Sequence, residues 1–169
     1  MTDERQGDRL WAALHNLPRG SGVIARHYSL ARGARLDLIA RIRQIARARH
    51  LTLVVAGPAT LALATRADGF HARSAHVGPR HLLRTVAVHD EAELQLARRI
   101  GADLIFLSPL FATESHPGAP SLGPNRFGRL TQETDIPVIA LGGMTTRRAK
   151  SLRQLGLYGW AGIGALTPD

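Results

Sequence analysis

The chain has 169 residues, of which 44% are hydrophobic and 21% charged. That suffices for one domain with a real core, or for a small barrel. The absence of Cys excludes disulfides, a thiolate nucleophile and a Cys-ligated metal. The net charge of +9 comes with a single lysine (Lys150), scattered arginines and 5% aromatic residues, which argues against a nucleic-acid interface.

The elements alternate between helix and strand. Asp8–Leu17 reads as a helix, after an opening MTDERQGDR that is unlike a signal peptide. Gly22–Arg26 is short and apolar, hence a buried strand. Leu36–Arg49 has helical spacing, with Ile39, Ile42 and Ile45 as its buried stripe. Its arginines (Arg35, Arg41, Arg43, Arg47 and Arg49 along the same segment) are therefore expected on a solvated outer face. Leu51–Ala56 is an apolar, β-rich strand, Thr60–Arg66 a short helix and Gly69–His71 a brief strand. Thr85–Val88 follows as a strand and Glu91–Ile100 as a helix. Then come strand Leu104–Leu107, helix Pro124–Glu133, strand Val138–Leu141, helix Thr145–Leu155 and strand Gly159–Ala161. No apolar run approaches the ~18 residues needed to span a bilayer, so the expectation is a cytoplasmic protein without a membrane partner.

Alternation of this kind implies a parallel sheet with crossover helices. Polar and glycine residues recur after nearly every strand, which favours a (β/α)8 barrel with its site on that rim over an open doubly wound sheet. The pattern supplies seven of the eight strands, so the first strand is expected to be truncated or missing. A missing strand would leave unpaired edges and favour association, such as a homo-oligomer.

Chemistry-bearing residues gather at the strand ends. Gly142 and Gly143 leave backbone N–H groups able to approach a phosphate, as do Gly162 and Gly164; tight turns alone would also explain them. The segment from Ser108 into the next helix is long for a compact barrel and reads as a site loop. In it Thr113 and Ser115 offer hydroxyls and His116 a charge when protonated, although Thr113 and Ser115 also suit local turns. His89 follows a strand and suits proton transfer near neutrality, or simply caps the next helix. His27 and His71 sit at strand ends, whereas His15, His50 and His81 read as surface residues. Asp68, before a glycine, reads as a turn-fixing residue. No HxH or HxxxH spacing supports a metal site.

Several of these segments, in this order, resemble the thiamine phosphate synthase/TenI family over almost the whole chain. They are Ala67-Asp68-Gly69-Phe70-His71, Glu93 and Ala97 before Gly101-Ala102-Asp103, Ser108 through His116, and Pro137-Val138-Ile139-Ala140-Leu141-Gly142-Gly143. The Ser115-His116-Pro117-Gly118-Ala119 wording with Leu122-Gly123 is similar to the branch fused to Nudix domains, although the chain carries no Nudix box. Met1-Thr2-Asp3 resembles the tail of the family's first strand, which would account for the strand that is short.

The resemblance implies thiamine biosynthesis and a thiazole phosphate as ligand, held by Arg26, Thr113, Ser115, His116, Gly142, Gly143 and Gly164. It also implies magnesium-assisted coupling of that phosphate to a pyrimidine pyrophosphate. The family's metal ligands, however, fall on Ala56-Gly57 and about His76, and its pyrophosphate lysines on Tyr28 and His116. Coupling is therefore poorly supported, and no metal ligand is assigned. Two alternatives stand beside it: a TenI-like thiazole tautomerase using His89, and a phosphate-binding barrel without catalysis.

Overall fold

The computed structural model describes residues 1–72, 78–113 and 120–163. The chain forms two compact units, one from Met1–Leu83 and one from Arg84–Ala165.

In the first unit, helix α1 (Arg9–Asn16) precedes strand β1 (Gly22–Ala25), helix α2 (Arg32–Arg49), strand β2 (Thr52–Ala56), helix α3 (Ala59–Thr65) and strand β3 (Gly69–His71). The strands run parallel in the order β1-β2-β3, with Gly22 opposite Thr52 and Val54 opposite Gly69. Ile39, Ile42 and Ala46 recur at helical spacing and bury the inner face of α2 against Val23, Leu53 and Val55. Leu10, Leu14 and Phe70 complete that core. α2 starts a turn earlier than its isoleucine stripe predicts, at Arg32, because Arg32, Gly33 and Ala34 are exposed and no large apolar residue marks that turn. It ends where His50 takes a left-handed φ of 55° and donates its N–H to the carbonyls of Ala46 and Arg47, the usual way of satisfying a last turn.

The second unit carries strand β4 (Leu83–Val88, whose first residue belongs to the first unit), helix α4 (Glu91–Arg99), strand β5 (Leu104–Leu107), helix α5 (Gly123–Gln132), strand β6 (Val138–Ala140), helix α6 (Thr146–Ser151) and strand β7 (Gly159–Trp160). These strands are also parallel and in chain order. Val86, Val88, Leu94, Ile105, Leu107, Phe127, Leu130 and Val138 form the core. Asp90 caps α4 by accepting from the Glu93 N–H at 2.8 Å. Acidic residues fill that helix's first turn and arginines its last, complementing the macrodipole. Glu91 reaches Arg126 (2.7 Å) and Arg129 (3.0 Å) on α5, and the Arg126 hydrogen bond pulls its carboxyl down to about 2. The helix expected over Thr145–Leu155 is instead α6 followed by a 3-10 turn (Arg153–Leu155) that ends on left-handed Gly156.

Seven strands are seen among the described residues, as the sequence pattern predicts, and the fold is α/β with parallel strands. The eighth strand of the expected (β/α)8 barrel has no counterpart among the described residues. What lies beside β1 is Thr2, whose N–H donates to the Ile24 carbonyl at 2.9 Å. Its buried hydroxyl accepts from the Arg26 N–H at 3.0 Å. No helix among the described residues is long and apolar enough to cross a membrane.

One device recurs in both units. Asp68 donates its N–H to the Leu53 carbonyl (2.8 Å), and its carboxylate accepts from the Leu53 N–H (2.7 Å). Asp103 makes the same pair with Arg84, at 2.9 and 2.7 Å. Each follows a buried alanine, Ala67 or Ala102. Asp68 thus stands at the start of β3, far along the strand from the rim, and fixes register. Replacing Asp68 with Ala leaves the N–H of buried Leu53 without its acceptor and should cost about 1–3 kcal/mol. Asp103→Ala, at a more exposed site, should cost less. Urea denaturation monitored by circular dichroism tests both, and an unchanged midpoint for Asp68→Ala would refute the assignment.

Candidate functional site

The C-terminal strand ends of the second unit bring several predicted residues together. Immediately after β4, His89 donates its N–H to Glu93 Oε2 at 2.8 Å, and its Nδ1 lies 2.7 Å from the same oxygen. The helix cap is Asp90, so His89 is not itself the cap. With the carboxylate on Nδ1, the ring is held in one orientation and Nε2 remains for proton exchange.

β5 continues past Leu107 into Ser108, which is buried and donates its N–H to the Val88 carbonyl at 2.9 Å. The Ser108–Pro109 peptide is cis. Leu110 then donates to the Leu141 carbonyl (2.8 Å) and Phe111 to the Gly142 carbonyl (3.2 Å). Gly142 and Gly143 have φ of 97° and 59°, where glycine carries little penalty. A Cβ on Gly142 would meet Pro109 Cα at 2.7 Å, and one on Gly143 the Ala112 carbonyl oxygen at 2.6 Å. Both glycines are therefore required by backbone and packing alone. Their carbonyls accept from Phe111 and from the Arg148 guanidinium, which also lies over the Phe111 ring at 4.5 Å. Their N–H groups make no hydrogen bond among the described residues. Successive free N–H groups in positive-φ backbone form an anion-binding concavity. Thr113 follows Ala112 and is half-buried.

At the strand ends of the first unit, Arg26 has a half-buried side chain 4.0 Å from Asp3 Oδ2. Asp3 is held mainly by Arg5 at 2.6 Å, and that hydrogen bond lowers its carboxyl pKa. His27, buried and at φ 42°, has Nδ1 3.0 Å from the Thr2 hydroxyl. Arg35 of α2 donates Nε to the Arg26 carbonyl at 3.0 Å and Nη2 to the Ala56 carbonyl. It thereby joins the ends of β1 and β2. The guanidinia of Arg26 and Arg35 stand 5.9 and 5.3 Å from the centre of the exposed Tyr28 ring.

Of the positions that the resemblance implies for magnesium, the described ones do not fit it. Ala56 and Gly57 have no side-chain oxygen, and the one carbonyl Ala56 offers accepts from a permanent cation, which repels a metal ion. The other implied position, His76, lies outside the described residues, as do Ser115, His116 and Gly164. Arg26 belongs to the first unit, and His89, Thr113, Gly142 and Gly143 to the second.

The expectation of a solvated arginine face on α2 holds for Arg41 and Arg47, which are exposed, and needs correction at Arg35, Arg43 and Arg49, which are half-buried. Arg35 is the clamp just described, Arg41 lies 3.6 Å from the centre of the Trp11 ring, and Arg43 Nη1 is buried. Binary patterning reads any arginine outside an apolar stripe as solvated, whereas its long stem can carry the head to carbonyls or rings nearby. Glu93 escaped notice as the partner of His89, although the i,i+4 spacing is its signal. Arg148 offered no such signal.

The chain is similar to known proteins throughout. The family model described as "Thiamine monophosphate synthase" matches residues 2–166. The thiamine-phosphate synthase of Roseiflexus castenholzii is 30% identical, covering 100% of this chain and 81% of the relative. That of Methanospirillum hungatei is 29% identical over 93% of this chain and 82% of its own length. Among solved structures, thiamine phosphate pyrophosphorylase from Pyrococcus furiosus superposes with a TM-score of 0.82 at 22% identity, over 99% of this chain and 86% of that one. At that identity the likeness establishes the fold.

Burial holds His27 below the ordinary imidazole range, so the folded state favours the neutral ring. The unfolded chain binds the proton more readily below about pH 6.5, and stability present above that pH is lost as pH falls. Asn tolerates left-handed backbone. His27→Asn should therefore flatten the acid side of a stability-versus-pH profile, with a limiting effect of about 1.4 kcal/mol per pH unit. An unchanged slope between pH 7 and pH 5 would contradict this.

Proposed function

The chain belongs to the thiamine monophosphate synthase family, and from that premise we propose that it is a thiamine-biosynthesis protein whose second unit binds a thiazole phosphate. The observation that carries this reading is the pair of N–H groups at Gly142 and Gly143, without hydrogen bonds among the described residues and beside the positive charge of Arg148. A phosphate there would accept from both amides. Thr113 stands on the loop side, where Ser115, His116 and Gly164 are assigned by the resemblance alone.

Coupling to a pyrimidine pyrophosphate, the reaction that the resemblance implies, would call for a metal that Ala56 and Gly57 cannot hold, and no step is derived through one. A second reading rests on the His89–Glu93 contact of 2.7 Å. An imidazole oriented by a carboxylate can take a proton from one position of a thiazole ring and return it to another. Neither oxidant nor metal is then required. In this reading the phosphate cup anchors the substrate and His89 is the catalytic residue.

Calorimetry with thiazole phosphate in EDTA should give one binding event, removed by Gly143→Ala. No binding, or binding only with magnesium, would sink the reading. Should tautomerase turnover be found, His89→Ala should lower it roughly 10²–10⁴-fold with little change in KM. Glu93→Gln should lower it less, and turnover undiminished in His89→Ala would leave a binding protein only.

A further inference from the structure

The residues beside β1 form a strap that is tied down through side chains. Thr2 gives its N–H to the Ile24 carbonyl, and its buried hydroxyl accepts from the Arg26 N–H at 3.0 Å. Asp3 and Gln6, both buried, close a capping box around the 3-10 turn Glu4–Gln6. Glu4 Oε1 accepts from the N–H and hydroxyl of Ser29 at 3.2 and 3.0 Å, so the turn also grips the loop that follows β1. Between strap and loop stands His27, buried and at a left-handed φ of 42°, with Nδ1 3.0 Å from the Thr2 hydroxyl.

The Thr2 hydroxyl has a single proton to give. With the Arg26 N–H already donating to it, all three groups are satisfied when neutral His27 accepts that proton at Nδ1 and carries its own on Nε2. A second proton on the ring lands on Nδ1. It turns an acceptor into a donor facing the same hydroxyl, whose own proton then loses its partner. It also places a cation in a buried position. The charged groups around it are Asp3 and Glu4 on the strap, Arg26 after β1 and Arg35 on α2. Both carboxylates are engaged, Asp3 with Arg5 at 2.6 Å and Glu4 with Ser29, and both guanidinia repel an imidazolium. Burial is the largest of these effects and holds the ring below its ordinary range.

We propose that His27 and Thr2 form a pH-operated latch: neutral His27 holds the strap against β1, and its protonation releases residues 2–6 while the core of the unit stays folded. The sign follows from the depressed imidazole of the closed state. Once released, His27 takes up its proton near the ordinary value of 6.5. The latch is therefore closed above that pH and loses its hold as pH falls. For one proton the closing equilibrium changes by at most about tenfold per pH unit. Opening frees the Arg26 N–H and the Glu4 grip on Ser29, so the loop carrying Arg26 and Tyr28 gains freedom by local rather than global unfolding. The device lies within the first unit and does not rest on the glycine cup.

The test is amide hydrogen exchange of the whole chain by NMR between pH 8 and pH 5, expressed as protection relative to the intrinsic rate at each pH. Protection of the Arg26 N–H, whose acceptor is the Thr2 hydroxyl, should fall roughly tenfold or less per pH unit below about pH 6.5. Protection of Val55, in the core of β2, should hold. Thr2→Val removes the hydroxyl and should leave Arg26 poorly protected already at pH 8, with no further fall in acid. His27→Asn offers a carboxamide oxygen that accepts the Thr2 proton and does not titrate, so Arg26 should stay protected down to pH 5. Four results would each overturn the latch: flat Arg26 protection in the unaltered chain, a fall shared equally by Val55, a fall that persists in His27→Asn, or full Arg26 protection in Thr2→Val.

Discussion

Parallel strands hold together only if each starts in register with its neighbour, and here two aspartates meet that constraint for one strand pair in each unit, β2 with β3 and β4 with β5. An N–H near the start of a strand faces the neighbour before the neighbour's own ladder has begun, and without a partner it costs free energy. Asp68 and Asp103 answer this with a two-point clasp, amide to carbonyl and carboxylate to amide, on Leu53 and Arg84 respectively. Because side chains alternate along a strand, a slip of one residue would turn every inward-facing residue outward. The clasp at the starting end therefore determines which residues arrive at the other end. That end carries His89 after β4 and Ser108 after β5 in one unit, and His71 of β3 in the other.

The rim chemistry divides accordingly. In the second unit polarity comes mostly from the backbone: free amides in a glycine turn, one oriented imidazole and an arginine bound to a carbonyl. In the first it comes from guanidinium held by carbonyls and an aromatic ring. Neither arrangement gathers carboxylates, and the described residues contain no cluster of His, Cys, Asp or Glu suited to a metal ion.

Much of the fold was legible in the residue pattern. All seven strands fall where short apolar runs lie between helical periods, and Ile39 and Ile42 mark the buried face of α2. Element starts were less legible. The exposed start of α2 holds no large apolar residue to announce it, and the last helix breaks at Leu152, whose backbone leaves helical geometry. In the site, the glycines and His89 could be picked out because strand ends point to a rim. Their partners could not, because Glu93 and Arg148 look like ordinary polar positions on a helix. Arg35 was misread for the same reason: hydropathy ranks a residue by type, and its role depends on two carbonyls far away in sequence.

The glycine pair carries one more implication. Gly142 and Gly143 satisfy a positive φ and a close approach to Pro109 and Ala112, demands that exist whether or not anything binds. A descendant of this protein that had lost its ligand would keep both glycines for the sake of its fold. The Gly-Gly motif is thus a record of ancestry and architecture. The trace of the ligand, if it is to be sought in related chains, lies in whatever surrounds those amides and leaves them uncovered.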